Sequence, residues 1–250
     1  MSGRLNSATF AGIAAECDRL FNAGDSAGVG NYLRTKLSEA ECSGDRMLQL
    51  FLQSELMGYY RMQENTPESL RAVECGLTLL DSMPEISPVS AGTICINAGT
   101  ALSAAGFFDR ALAIYLRAEK YYTGTLDKND YLQAGLLNNM ASVYLAQQDF
   151  TSAENCYLKA LDILKHNSKL ADSAVTCINL AQLYAQRDPE DPLIPVMLDA
   201  AIDCFNAPSL KRDGYYAHSC SKCIPAFEFF GNQNFADELR NRAKEIYERN

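Results

Sequence analysis

The feature that most constrains the fold of this chain is an internal repeat in its middle. After Asn139, small residues stand 2, 14 and 21 positions further on, and large apolar residues stand 5, 11 and 18 positions further on. These residues are Ala141, Tyr144, Phe150, Ala153, Tyr157 and Ala160. The same offsets from Asn97 give Gly99, Leu102, Phe108, Ala111, Tyr115 and Ala118. The two sets match in type throughout, which predicts a fold of stacked copies of one unit.

Two further copies are weaker. Counted from Asn179, the pattern fails only at Glu190, within a segment 188–192 that we expect to form an altered turn. Counted from Lys222, the pattern is degraded but in phase. A small residue closes the copies at Cys75, Ala118, Ala160, Ala200 and Ala243. These positions predict a period of about 40 to 43 residues.

Each copy is predicted to be an antiparallel pair of helices. Apolar residues fall at helical spacing on both sides of a short turn, and no stretch alternates as a half-buried strand does. Helix starts are also marked by Thr66-Pro67, Ser87-Pro88 and Asp191-Pro192, where a capping side chain precedes a proline. The expected pairs cover residues 5–41, 45–82, 87–123, 129–165, 169–206 and 212–249. Pro225 lies inside a predicted helix, where we expect a kink or break.

The order of small and large residues across two helices resembles the tetratricopeptide repeat (TPR). Its small residues lie where the two helix axes approach closely. The period is longer than the family's usual ~34 residues, and Leu137–Ala141 is similar to the long-repeat branch typified by kinesin light chains. The resemblance implies an all-α protein, an α-solenoid of about six antiparallel helix pairs in a right-handed superhelix. We expect one domain over 1–250, with degenerate repeats over 1–86, well-matched repeats over 87–206 and a degenerate capping repeat over 207–250.

Composition narrows the class of partner. The chain is 48% hydrophobic and 21% charged, as is usual for globular proteins. Its net charge of −9 gives it no general attraction for nucleic acid or for anionic membrane surfaces. Residues 86–108 carry no charge, but they include a proline, an asparagine and three glycines, so we expect a buried helix rather than a membrane span.

The sequence also indicates a compartment. The first residues lack the basic and apolar stretches of an export signal. Nine cysteines are an odd number, and their spacing is not that of a disulfide-rich protein. We therefore expect reduced, buried thiols in a cytoplasmic protein.

The first helices of the three central repeats contain uncharged stretches, at residues 86–108, 131–148 and 173–186. In the predicted superhelix these helices line a concave surface, and Asn97, Asn139 and Asn179 recur there at one place. A carboxamide can both donate to and accept from an extended peptide backbone. In the TPR family an asparagine at this place commonly contacts bound peptide.

The predicted peptide-binding residues of the concave face are Asn97, Thr100, Asn138, Asn139, Ser142, Asn179 and Gln182. None is a cation, whereas chaperone-binding members of the family hold a C-terminal carboxylate with Lys and Arg on these helices. A mostly neutral peptide, or a partner helix, therefore fits better. In an alternative interpretation, each asparagine bonds a neighbouring helix and only supports the scaffold.

Other chemistry has little support in the sequence. His218, Cys220 and Cys223 form a weak candidate for a metal or redox site, but a second pair of ligands is missing. The two histidines, His166 and His218, lie far apart without a nucleophile pattern, and there is no glycine-rich phosphate loop. We expect no enzymatic activity, no catalytic residue and no cofactor.

The leading hypothesis is a scaffold or adaptor that holds a peptide segment of another protein in its concave groove. A second is a regulatory sensor of a small signalling peptide, although residues 1–86 show no basic DNA-recognition helix. A third is structural self-association into a homo-oligomer through an exposed end of the solenoid.

Overall fold

The computed structural model describes the backbone of residues 3–248 and the side chains of residues 9–248. Within this range the chain forms twelve α-helices and no strand. The helices are α1 (Gly3–Asn22), α2 (Ser26–Ser43), α3 (Arg46–Met62), α4 (Thr66–Asp81), α5 (Pro88–Ala104), α6 (Phe108–Tyr122), α7 (Tyr131–Ala146), α8 (Phe150–His166), α9 (Leu170–Arg187), α10 (Leu193–Asn206), α11 (Gly214–Phe229) and α12 (Gln233–Glu248). Consecutive helices pack as pairs, which confirms the predicted all-α fold.

The chain divides into two compact units, Met1–Thr125 with α1 to α6 and Leu126–Asn250 with α7 to α12. In the first unit, α3 contacts both α1 and α5, and in the second, α9 contacts both α7 and α11. The first helices of successive pairs therefore pack side by side within each unit. The expected single domain over 1–250 stays a prediction. The predicted lack of an export signal also stays one, because part of that segment lies outside the described residues.

Across residues 3–248, no helix combines the length and the apolar composition that crossing a bilayer requires. The uncharged stretch 86–108 supplies α5, a helix of 17 residues.

Side-chain caps begin the helices close to where the sequence places them. Ser87 caps α5 as predicted, because its Oγ accepts from the Ser90 backbone N at 3.1 Å. Asp191 Oδ1 accepts from the Leu193 backbone N at 2.9 Å at the start of α10. At α4 the cap lies one residue before Thr66, since Asn65 supplies the accepting oxygen.

Burial corrects the phase of two repeats by one residue. In α4 the buried small residue is Gly76, whereas Cys75 is exposed. In α10 it is Ala201, fully buried, rather than Ala200, because the altered turn at 188–192 holds one more residue. The buried small residues of five repeats are Gly76, Ala118, Ala160, Ala201 and Ala243, spaced by 41 or 42 residues.

This correction assigns a new residue to the position of the asparagines, which we call the reference position. Counting back 21 residues from Gly76 gives Glu55. The turn after the first helix supports that phase, because a residue with positive φ lies nine positions after the reference residue in four repeats. These pairs are Glu55 with Glu64 (φ 54°), Asn97 with Gly106 (φ 81°), Asn139 with Gln148 (φ 62°) and Lys222 with Gly231 (φ 75°).

Of the kink or break predicted at Pro225, the break is wrong, since α11 continues through it to Phe229, and the kink stays a prediction. Pro225 and Ser221, the residue four positions before it, are both exposed. The Ser221 carbonyl that loses its helical donor can therefore bond to water. On the opposite side of the helix, burial of Ala226 and Phe227 offsets the ~3 kcal/mol that an internal proline costs.

The core of the second unit is built around aromatic side chains of its last two pairs. Phe205 is fully buried, and its ring centroid lies 5.9 Å from that of Tyr216 and 6.4 Å from that of Phe235. Arg242 on α12 is joined to this core, because its Nη1 donates to the Tyr216 hydroxyl at 3.1 Å. The last two pairs are therefore held together by one shared cluster.

Candidate peptide-binding site

Asn139 on α7 and Asn179 on α9 are half-buried, and their carboxamides bond to no other group of the described residues. Their polar atoms are not sealed in the interior, because Ser26 Oγ is the only deeply buried side-chain N or O atom without a partner between residues 9 and 248. Gln182, on the next turn of α9, is also half-buried and unbonded within this part of the chain. These three carboxamides can therefore bond to a ligand.

Asn138 makes the kind of bond that the alternative interpretation describes. Its Nδ2 donates to Thr176 Oγ1 at 3.0 Å, which joins α7 to α9. The Thr176 hydroxyl also lies 3.2 Å from Asn138 Oδ1 and 2.9 Å from the Asp172 carbonyl oxygen. This contact fixes the relative register of two neighbouring first helices.

Asn97 also bonds a neighbouring helix. Its Nδ2 donates to Ser54 Oγ at 2.8 Å, which joins α5 to α3 in the first unit. Two of the five predicted carboxamides thus support the scaffold, and the other three are unbonded within the described residues. The peptide-binding role of the row stays a prediction.

Thr100 and Ser142, at equivalent places on α5 and α7, join the two helices of their own pairs. Thr100 Oγ1 donates to the Ile96 carbonyl oxygen at 2.8 Å and lies 3.2 Å from the Tyr115 hydroxyl. Ser142 Oγ donates to the Asn138 carbonyl oxygen at 3.0 Å and lies 3.0 Å from the Tyr157 hydroxyl. Both hydroxyls contact the hydroxyl of a buried tyrosine on the second helix, so each stabilises the packing of its own pair.

Glu55 is a residue that the sequence analysis missed at the reference position. It is half-buried on α3, and burial, together with the negative charge of Asp18, raises the pKa of its carboxyl group. No Lys, Arg or His among the residues with described side chains pairs with it. The signal that could have revealed it is the one-residue shift from Cys75 to Gly76.

A cavity of about 260 Å³ lies beside Glu55 in the first unit, between α1, α3 and α5. Phe10 and Phe51 form part of its wall, with stacked rings whose centroids are 4.6 Å apart. Ile86 and Val89 continue the apolar wall, and Asn97 lines it as well. The cavity thus combines an apolar interior with polar groups of two reference positions.

The weak metal candidate is not assembled as a site. Cys220 and Cys223 are buried on α11, and His218 is exposed. Within the described chain no three His, Cys, Asp or Glu side chains, this trio included, come together to hold a metal ion. Burial raises the pKa of Cys220 to about 11 and that of Cys223 to about 12, which keeps both as thiols at neutral pH.

None of the nine cysteines, all of which the structure describes, forms a disulfide. Five are buried, but Cys42 and Cys75 are exposed, so the expectation of buried thiols is wrong for these two. Neither belongs to the buried face of its helix, which is formed in α2 by Val29, Leu33 and Ala40 and in α4 by Val73, Gly76 and Leu80 among others.

We expect only Cys42 and Cys75 to react rapidly with Ellman's reagent at pH 8. Burial raises the pKa of Cys95 and Cys177 to about 11, so each is almost wholly in the unreactive thiol form. Replacing both exposed cysteines with serine should remove the fast phase, and 6 M guanidinium should expose the remaining thiols. Rapid labelling of Cys177 in the folded variant would contradict the structure.

The family model of the tetratricopeptide repeat matches this sequence over residues 91–166 and over the overlapping range 132–191. Residues 91–191, which the two matches cover together, therefore consist of tetratricopeptide repeats. The matched TPR segments contain all seven residues of the predicted peptide-binding face. A search of curated proteins finds no significant match.

Solved structures agree with the TPR assignment. BtubC (BKLC) from P. vanneervenii superposes with a TM-score of 0.60 at 17% identity, covering 86% of this chain and 87% of that one. A Podosopora anserina protein described as a kinesin light chain with nearly identical TPR-like repeats gives 0.54 at 16% identity, covering 78% and 92%. At such identities the similarity shows the fold. The predicted TPR resemblance is confirmed.

The match to the TPR family model also indicates a general class of function. Members of this family generally act as protein-interaction scaffolds, and the fold is typically non-enzymatic. Binding of other proteins is therefore the function class that the repeats support.

Proposed function

We propose that this chain is a protein-interaction scaffold that captures an extended peptide segment of a partner along its first helices. The observation that carries the proposal is the pair of unbonded, half-buried carboxamides at Asn139 and Asn179. They occupy the same place in two successive repeats. Each can donate to a carbonyl oxygen and accept from an amide of a bound backbone.

The spacing of these carboxamides suits an extended chain. The helices α7 and α9 contact each other, and the axes of packed helices lie about 8–10 Å apart. An extended peptide advances about 3.3 Å per residue. The two asparagines would therefore bond backbone groups about three residues apart, with Gln182 available to a side chain of the peptide.

The chemistry of this face favours a neutral segment. Residues 131–148 and 173–186 contain no charged side chain. Binding through neutral hydrogen bonds and apolar contact depends little on ionic strength, since there are few charges to screen. A partner held by its C-terminal carboxylate is disfavoured, because no Lys or Arg lies on these segments. We also place the protein in the cytoplasm, where its nine free thiols would stay reduced.

The test is a double replacement, Asn139→Ala with Asn179→Ala. Peptides are first selected on the full chain from a displayed library of random ten-residue sequences. Their affinities are then measured by fluorescence anisotropy. We expect the double variant to weaken binding about 10-fold, because each lost hydrogen bond contributes about 0.5–1.5 kcal/mol.

A matched control replaces two exposed asparagines of the second unit, Asn155→Ala on α8 and Asn241→Ala on α12. This control should bind the selected peptides like the unchanged chain. Far-UV circular dichroism should show equal helicity for both variants. If the unchanged chain selects no peptide, or if the double variant binds as tightly as the control, the proposal fails.

The selected peptides and the purified chain also test the two other hypotheses from the sequence, a peptide sensor and a self-associating module. A sensor of a small signalling peptide would select a few short sequences with a strong consensus. Self-association would appear as a mass that rises with concentration in light scattering.

A further inference from the structure

We propose that the first unit binds a basic residue of a partner's peptide segment, with its cation against Glu55 and a neighbouring apolar side chain in the cavity between α1, α3 and α5. The inference rests on the proposed function, because Glu55 occupies the reference position in its repeat. In the second unit, the equivalent residues of α7 and α9 are the neutral carboxamides Asn139 and Asn179, and that of α11 is Lys222. Glu55 would therefore give the scaffold a preference for side-chain charge that Asn139 and Asn179 do not provide.

The size of the cavity fits a side chain better than a cofactor. Its volume of about 260 Å³ lies below the range of about 300–1,000 Å³ that is usual for sites of small-molecule ligands. Its walls are mostly apolar, and Phe10 and Phe51 stack to form one of them. An apolar side chain such as Leu, Ile or Phe would lose its contact with water there.

Glu55 supplies the charge complementarity. A carboxylate that is removed from water without a partner is unfavourable, and a cation brought beside it relieves that cost. Asp18 on α1 adds to the negative potential at Glu55. Glu55 also lines a second cavity of about 150 Å³, together with Cys17 and Phe21 among others.

Among the residues with described side chains, the cations of the same unit do not neutralise Glu55. Arg19 on α1 is bonded to Glu16, with Nε and Oε2 2.7 Å apart. Arg34 on α2 donates to Asn31 Oδ1 at 2.6 Å. Arg61 lines the smaller cavity but is exposed and forms no ion pair with Glu55. A Lys or Arg from a bound segment therefore meets an unpaired carboxyl group.

The inference is tested by repeating the library selection on the unchanged chain and on the variants Glu55→Gln and Glu41→Gln. Glu41 is an exposed glutamate of α2 and serves as the matched control. Peptides from the unchanged chain and from the control should carry Lys or Arg next to Leu, Ile or Phe at least three times as often as the unselected library. This enrichment should vanish on Glu55→Gln.

A second measurement uses one selected basic peptide and its copy with Gln in place of the basic residue. The unchanged chain should bind the basic form about 5-fold more tightly, and Glu55→Gln should bind the two forms equally. The first comparison needs no variant, so it holds even if Glu55→Gln does not fold. Equal binding of both forms by the unchanged chain, or an unaltered preference in Glu55→Gln, overturns the inference.

The failures of the two proposals are distinguishable. If selected peptides depend on Asn139 and Asn179 but show no basic enrichment, only the role of Glu55 is wrong. If the unchanged chain selects no peptide, both proposals are wrong.

Discussion

Replacing Phe205 with alanine is expected to lower the free energy of unfolding by about 3–5 kcal/mol. The Phe205 side chain is fully buried in α10, and its ring packs near those of Tyr216 and Phe235. Removing it leaves a cavity among rigid rings that cannot collapse to fill the space. Since a domain is stabilised by only about 5–15 kcal/mol, this loss is a large share. Urea denaturation followed by circular dichroism measures it.

The control for this variant is Leu158→Ala in α8. Leu158 is 45% exposed, so its truncation should change the free energy of unfolding by about 0.5 kcal/mol or less. If both variants lower the free energy of unfolding by a similar amount, the difference in burial between Phe205 and Leu158 is wrong.

The second large effect is expected for Gly92→Ala, which should destabilise the chain by about 2 kcal/mol. A Cβ atom added at Gly92 in α5 would lie 2.3 Å from Cε1 of the Tyr122 ring in α6. That ring is almost fully buried and cannot move aside cheaply. The overpacking exceeds the gain of about 1 kcal/mol that alanine brings to a helix interior. Thermal unfolding measures the difference.

Gly135→Ala is the matched control, because a Cβ atom added at Gly135 in α7 would meet nothing within 4 Å. This variant should raise the free energy of unfolding by about 0.5–1 kcal/mol. A double-mutant cycle with Tyr122→Leu tests the cause, since the smaller partner should recover most of the loss from Gly92→Ala. If Gly92→Ala is as stabilising as Gly135→Ala, the close approach of α5 and α6 is wrong.

The repeats themselves support that pairing of sizes. The positions 42 residues after Gly92 and Tyr122 are Ala134 and Leu164, which belong to one buried cluster. From one repeat to the next, Gly92 is thus replaced by the larger Ala134, and Tyr122 by the smaller Leu164. The two residues of each pair together fill a similar space between their helices.

The helix pairs were predictable because small and large residues recur at fixed offsets, and burial of both kinds requires that order. The exact phase was not predictable in two repeats. Cys75 and Gly76 are both small, as are Ala200 and Ala201, and only the structure shows which one faces the partner helix. Glu55 was missed for this reason.

The hydrogen-bond partners of the asparagines could not be predicted from the sequence pattern either. Asn97 bonds to Ser54 and Asn138 to Thr176, which lie 43 and 38 residues away along the chain. Such partners depend on how neighbouring pairs are rotated against each other. The pattern therefore gives the place of the carboxamides but not which of them are free. The break expected at Pro225 failed because helix propensity is a local rule, and the burial of Phe227 outweighs it.

The constant interval between the reference position and the left-handed turn residue restricts how the length of this protein can change during evolution. One residue inserted between Asn139 and Gln148 would rotate the rest of α7 by about 100° and bring polar groups into the interior. The altered turn at 188–192 holds one more residue, and the buried small residue of α10 is accordingly Ala201 rather than Ala200. A change of length inside a pair should therefore survive only where the turn and the phase of the second helix change together.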